Sequence, residues 1–238
     1  MWELYDNLIK NIQEDIKIED LVIGTEFAMV ISDCGAGISR VLNDKRFPFE
    51  NKIKPNMKLK DLAKSIKSWN FVEASLGLAA INAFYNSNQP RENLVLEKIK
   101  HPFVSIIDQD DRVAVVDAVL ENKENVQKSY DADFFNRKME DGDYIITAFE
   151  YLVDEYDSIY LGGNLIINKH IMKIAGDSKG KKSVLCDIST PLYLDFKKVG
   201  IDEIGGFIID DINKCFDLVK ISAPYQDIKK TGSMFKII

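Results

Sequence analysis

Between residues 2 and 14, Tyr5, Leu8, Ile9 and Ile12 recur at helical spacing with polar residues between them, which predicts an amphipathic surface helix. From 20 to 32 the period changes to two. Ile23, Thr25, Phe27, Met29 and Ile31 share one face of an alternating segment, as in a strand. Asp33-Cys34-Gly35-Ala36-Gly37 then ends that segment in a flexible turn. Residues 40–57, with Pro48, Pro55 and several lysines, read as loop or hairpin. Leu59, Leu62, Ala63 and Ile66 mark a second amphipathic helix, and a third follows at 71–86. From Ala74 to Phe84 that third helix is apolar nearly all round, which predicts that it is buried. Its Gly77 and alanines let other backbones come close, and Asn82 on it needs hydrogen-bond partners once buried.

Residues 86–102 are polar and read as a linker. Beyond 112 short apolar runs alternate with helical patterns. Val113–Val116, Phe134-Phe135, Ser158–Leu161, Ser183–Ile188 and Ile204–Ile209 read as strands. Helices are expected around Ala148, Phe149, Tyr151 and Leu152, and from the turn Gly162-Gly163-Asn164 through Ile171 and Ile174. A further helix is expected from Thr190-Pro191 to Gly200, with Thr as N-cap, Pro at the first position and Gly at the end. The last lies behind Asp210-Asp211 and carries Ile212, Cys215, Phe216 and Val219. This alternation predicts a mostly parallel α/β sheet.

Composition narrows the function classes. With 238 residues the chain makes one large domain or two small ones. Its formal net charge of −7 argues against nucleic acid and anionic membranes, which both call for a positive field. The N-terminus carries acid where a secretory signal carries base, and the longest apolar stretch falls short of the ~20 residues that span a bilayer. Three scattered cysteines, 34, 186 and 215, do not make a disulfide framework and fit a reducing compartment. A soluble, cytoplasmic protein is the expectation.

Five ordered segments resemble the putative heavy-metal chelation family, a domain-of-unknown-function group with two halves. They are Ile23-Gly24-Thr25-Glu26-Phe27-Ala28 with Cys34-Gly35; Leu76 to Ala83; Gly142-Asp143-Tyr144 with Glu150-Tyr151-Leu152 and Asp157; Gly163 to Asn168; and Ser189-Thr190-Pro191-Leu192 with Gly200-Ile201-Asp202 and Gly206. The resemblance implies a small α+β half with an enolase-N-terminal-like fold, at 1–100, followed by a Rossmann-like, mostly parallel α/β half at 101–238. It also implies a small ligand between the halves. The activities it brings are metal chelation, or condensation or hydrolysis of pterin-, flavin- or siderophore-like molecules. The chain departs from the family pattern at several strand ends. Asp117 stands where the family has Gly, Asn136 where it has an acid, Gly162 and His170 where it has Thr, and Asp187-Ile188 where it has Gly-Pro. Strand ends are the ligand edge of open α/β sheets, and these changes argue against a nucleotide-like cofactor.

The candidate ligand-binding residues are therefore Cys34, Asn82, Gly162, Gly163, Asn164, Asn168, Ser189 and Thr190. Asp117 and Asp187 are the candidate metal pair, for a divalent ion, because carboxylates suit hard cations. The commoner reading of an Asp at such a position is that it caps a turn or the following helix. The Gly162-Gly163 turn serves either an anion or a tight bend, and Asn82 serves either a ligand or a tie between two elements. Cys34 has no His or Cys near it in sequence, and there is no CxxC or HxxxH pattern, so no preformed soft-metal cage is expected. The expected partner is a small molecule or metal complex. Open alternatives are a non-catalytic cofactor-binding module that has lost the family's chemistry, a structural subunit, and a homodimer.

Overall fold

The computed structural model describes residues 2–42, 56–87, 93–99, 106–118, 120 and 123–238. Helix α1 (Trp2–Lys10) buries Leu4, Tyr5, Leu8 and Ile9, the apolar stripe expected of it. The alternating segment that follows is not one strand. It folds into β1 (Ile18–Ile23) and β2 (Phe27–Ser32), joined by a turn in which the Gly24 N–H donates to Phe27 O at 2.8 Å. With β3 (Gly35–Arg40) they form an antiparallel sheet in the order β1-β2-β3. Strand β2 is buried at five of its six positions because it is the central strand. Most of the predicted loop or hairpin at 40–57 lies outside the described residues.

Helix α2 (Leu59–Ala63) runs into a 3-10 turn over Lys64–Lys67, and α3 (Phe71–Tyr85) follows. Asn70 caps α3 by accepting hydrogen bonds from the Val72 and Glu73 N–H groups. Every residue of α3 except Val72 is buried, as its all-round apolar surface demands. Two glycines set how closely it is approached. A Cβ on Gly37 of β3 would stand 2.0 Å from Ala83 N, and one on Gly77 would stand 2.2 Å from Ile66 N.

The rest of the chain builds an eight-stranded sheet. Its strands are β4 (Leu96–Lys98), β5 (Arg112–Val116), β6 (Asp131–Asn136), β7 (Tyr144–Ile145), β8 (Ser158–Leu161), β9 (Lys182–Asp187), β10 (Glu203–Ile209) and β11 (Gly232–Ile237). Their order is β4-β11-β10-β9-β8-β5-β6-β7. Strands β5 to β10 are parallel, while β11 runs antiparallel to both its neighbours. Counted along the chain, the six parallel strands rank 3-2-1-4-5-6, the doubly wound order with its switch point between β5 and β8. The helices are α4 (Lys123–Ser129), α5 (Phe149–Leu152), α6 (Asn164–Ile167), α7 (Ile171–Asp177), α8 (Ile212–Lys220) and α9 (Tyr225–Ile228). The expected pairing of a small α+β half with a Rossmann-like half is thus the architecture found. No helix among the described residues is long and apolar enough to cross a membrane.

Three local expectations need correction. No helix starts at Thr190-Pro191. The Thr190 hydroxyl accepts from Asp187 N instead, and a 3-10 segment forms only at Leu194–Val199 before Gly200 turns left-handed at φ 98°. The helix after Gly163 is two helices, because Lys169 takes a left-handed φ of 68° and Asn168 Oδ1 caps the His170 N–H. The polar segment at 86–102 contains β4, which pairs with β11, so part of it belongs to the large sheet.

Helix α3 lies across the carboxyl ends of the parallel strands. The Arg137 guanidinium, just past β6, stands over the Phe71 ring, Asn82 bonds Ser189 O past β9, and Asn86 bonds Phe207 O in β10. The rise from Phe71 to Asn86 is roughly 22 Å at about 1.5 Å per residue. The four strand gaps from β6 to β10 span roughly 19 Å at about 4.8 Å each. The two lengths match, so one helix roofs the edge from β6 to β10. Because Gly37 sets the contact between β3 and this roof, Gly37→Ala is expected to cost about 3 kcal/mol, or roughly 10 °C in melting temperature for a chain of this size. A thermal melt unchanged within about 2 °C would refute that role.

Candidate functional site at the carboxyl edge

The loops after β5, β6, β8 and β9 converge under α3. After β5, Asp117 holds a left-handed φ of 47°, a conformation that favours glycine, and its N–H donates to Phe135 O at 2.9 Å. Its carboxylate accepts from Asn168 Nδ2 at 2.7 Å and from the Asn164 amide and the Arg137 N–H. Burial raises its pKa, against the pull of the Arg137 charge and these donors. After β8, the glycine pair answers to crowding. A Cβ on Gly162 would meet Asp117 O at 2.2 Å, and one on Gly163 would meet Asp187 Oδ1 at 2.6 Å.

After β9, Asp187 accepts from the Gly163 N–H at 2.8 Å, the Ser189 N–H at 2.7 Å and the Thr190 hydroxyl at 3.4 Å. Burial still pushes its pKa up to about 6. The N-terminal half closes over these loops. Arg40 N donates to Ser189 Oγ at 2.8 Å, and Asn82 Nδ2 donates to Ile38 O at 2.7 Å and Ser189 O at 3.0 Å. Asn86 Nδ2 donates to Thr190 O and Phe207 O, while its Oδ1 accepts from Leu192 N.

The structure therefore brings together Asn82, Asp117, Gly162, Gly163, Asn164, Asn168, Asp187, Ser189 and Thr190. Cys34 stands apart at the β2–β3 turn, half-buried, with its thiol 3.2 Å from Ser32 Oγ and 3.6 Å from Ala83 O, and burial pushes that thiol up. Cys186 and Cys215 are buried in β9 and α8, and no three His, Cys, Asp or Glu side chains gather to hold a metal among the described residues.

Sequence reasoning missed Arg137, Asn86 and Lys169. Asn86 follows a buried helix, as Asn82 lies within one, and that was its available signal. A lysine between two helices carries no such signal. Lys169 is only 4% exposed, and its Nζ donates to Ser68 O at 2.5 Å and Ile167 O at 2.6 Å. Burial draws its pKa down to about 7. Between pH 7 and about 10.4 the unfolded chain holds a proton on this lysine that the native state lacks. Stability is therefore lost as pH falls from about 10 toward 7, by something on the order of 4 kcal/mol. Urea midpoints should show wild type gaining on Lys169→Met between pH 7 and pH 10. A constant gap between the two proteins would contradict the buried neutral amine.

A family model described as putative heavy-metal chelation matches residues 5–85, and a second with the same description matches 104–236. The crystal structure of a protein of unknown function from the DUF364 family of Desulfitobacterium hafniense DCB-2 superposes with a TM-score of 0.84. It is 29% identical, over 100% of this chain and 98% of that one. A second DUF364-family structure, from Pyrococcus horikoshii, has a TM-score of 0.81 at 20% identity, over 99% and 98%. An uncharacterized protein of Methanocaldococcus jannaschii is 24% identical, over 91% of this chain and 88% of its own.

Proposed function

The chain belongs to the putative heavy-metal chelation family, and from that premise we propose that it holds a small organic ligand, or a metal already chelated by one, under α3 at the carboxyl edge of the sheet. The observation that carries this reading is unused hydrogen-bonding capacity. Asn82 Oδ1, Asn164 Oδ1 and Arg137 Nε are buried and have no partner among the described residues. The amide orientations are forced. Asn82 turns its nitrogen to two carbonyl oxygens, and Asn164 turns its nitrogen to a carboxylate. Each such orphan costs about 1–3 kcal/mol, so the place is held at a cost that a ligand offering donors to the two oxygens and an acceptor to the arginine would offset.

The donor set does not fit a bare heavy-metal ion. Soft metals select thiolate and imidazole, and the described cysteines and histidines gather into no such group. Asp187 already accepts three hydrogen bonds, and Asp117 is held by Asn164, Asn168 and Arg137. The metal therefore arrives inside its own chelator, and siderophore-like and pterin- or flavin-like heterocycles are the first compounds to try.

Native mass spectrometry of protein purified without chelators should find an organic mass retained by the wild type and lost in Asn164→Leu, with metal present only alongside it. Direct binding of a divalent ion to ligand-free protein, abolished by Asp117→Asn with Asp187→Asn, would replace this reading with a carboxylate metal site. A high-resolution crystal structure with only a water molecule on the three orphan atoms would sink it.

A further inference from the structure

Arg40 pairs with Glu26, and Arg112 pairs with Asp131, Asp133 and Glu155. Arg137, just past β6, makes no ion pair and no side-chain hydrogen bond among the described residues, although its Nε is buried. The carboxylates on the elements around it are engaged elsewhere. Asp117 feels the Arg137 charge, but its oxygens accept from the Asn164 and Asn168 amides and from the Arg137 backbone N–H. Asp143 pairs with Lys123, Glu150 pairs with Lys173, and Glu73 of α3 accepts the Ser68 hydroxyl at 2.6 Å. The remaining neighbours carry no negative charge. The Phe71 ring has Lys169 Nζ and the Arg137 guanidinium each 5.2 Å from its centroid. His170 is half-buried, and its ring is held toward the neutral form by burial and then by the charges of Arg137 and Lys173. A guanidinium without a counter-ion, partly withdrawn from water, costs free energy that a bound anion would offset.

The shape of the unused group narrows the anion. A cation held over a ring spends none of its N–H bonds, so the contact with Phe71 leaves the donor edges of the guanidinium open. The edge made by Nε–H and the Nη–H beside it is the fork that takes a carboxylate by two parallel hydrogen bonds. Nε is the buried donor without a partner, so this edge is the one left unused. A water molecule or a neutral carbonyl oxygen would leave the charge unmatched, whereas a carboxylate meets both the edge and the charge. This end of α3 also reaches solvent. Trp69, two residues before Phe71, is 50% exposed, and Arg137 itself is only half-buried, so the guanidinium is approached without opening the fold.

We propose that Arg137 seats a carboxylate of the ligand side-on, so that the compound held under α3 is an organic anion. This rests on the ligand reading above and adds to it the charge of the ligand and the residue that selects for it. For a metal that arrives chelated, it calls for a complex with one carboxylate left over for the protein. Neutral compounds of the same size would fill the place without matching the guanidinium.

The test titrates the intact protein with benzoate and with benzamide, two probes of nearly the same shape that differ in charge. Nitrogen–proton correlation spectra follow the Arg137 Nε–H signal, identified by its loss in Arg137→Gln, and the side-chain amide signals of Asn82 and Asn164. Benzoate is expected to shift the Arg137 signal saturably and to bind roughly tenfold more tightly than benzamide. In Arg137→Gln that preference is expected to fall below about twofold, with Arg137→Lys, which keeps the charge without the fork, in between. Circular dichroism checks that the variants fold, and Arg137→Lys carries the comparison if Arg137→Gln does not. Equal binding of the two probes, a preference unchanged in the variants, or tighter binding of inorganic phosphate than of benzoate would overturn the proposal. Benzamide shifting the asparagine signals as strongly as benzoate would overturn it and leave the ligand reading standing. No shift from either probe would also overturn it, and the retained mass in native mass spectrometry would then decide the ligand reading by itself.

Discussion

The contact on which the rest depends is α3 lying across the carboxyl ends of the parallel strands. A helix that is apolar on every side has no face to give to water, so something must cover all of it. The antiparallel sheet takes one side and the strand-end loops take the other. Polar pins set its position along the edge. Asn82 and Asn86 reach carbonyl groups of residues 189, 190 and 207 with their amide nitrogens. The halves are therefore not two beads joined by a linker. One half supplies the ceiling of the other's carboxyl edge.

The loops beneath that ceiling are costly to hold. Asp187 and Asp117 are carboxyls pushed toward their neutral forms by burial, and Lys169 is an amine pushed the same way. Asp117 and Lys169 also sit in left-handed backbone where glycine is the easy choice. Three side-chain atoms in the same region lack partners among the described residues. Cores built only for stability avoid all of these, and their concentration at a topological switch point is what sets this edge apart from the other end of the sheet.

Most of the fold was legible in the sequence because it rests on periodicity and on a few punctuating residues. The strand at Ser158–Leu161 has the bounds read from its apolar run, and Gly200 ends its segment in the left-handed turn expected of it. What failed depended on partners that the pattern at the residue itself does not show. Thr190-Pro191 has the local form of a helix start, but the Thr190 hydroxyl is used by Asp187 and its carbonyl by Asn86, more than a hundred positions away. The alternating run at 20–32 hid a turn, because Gly24 needs Phe27 to close it. Of the site, Asn82 and the glycine pair were visible as anomalies within regular patterns. Lys169 was not, since nothing beside it in the chain says that Ser68, Trp69 and Phe71 will close over it.

The long reach of the α3 pins bears on how the chain is made. The helix ends at Tyr85, yet its amide partners lie 107, 104 and 121 positions beyond the asparagines that meet them. On a ribosome adding about 5–20 residues per second, the strand-end loops emerge several seconds after the helix is complete. For that interval the most apolar segment of the protein has only the small sheet, α1, α2 and the 3-10 turn at Lys64–Lys67 to shelter it. The last steps of assembly therefore wait on contacts of long sequence separation, which form slowly.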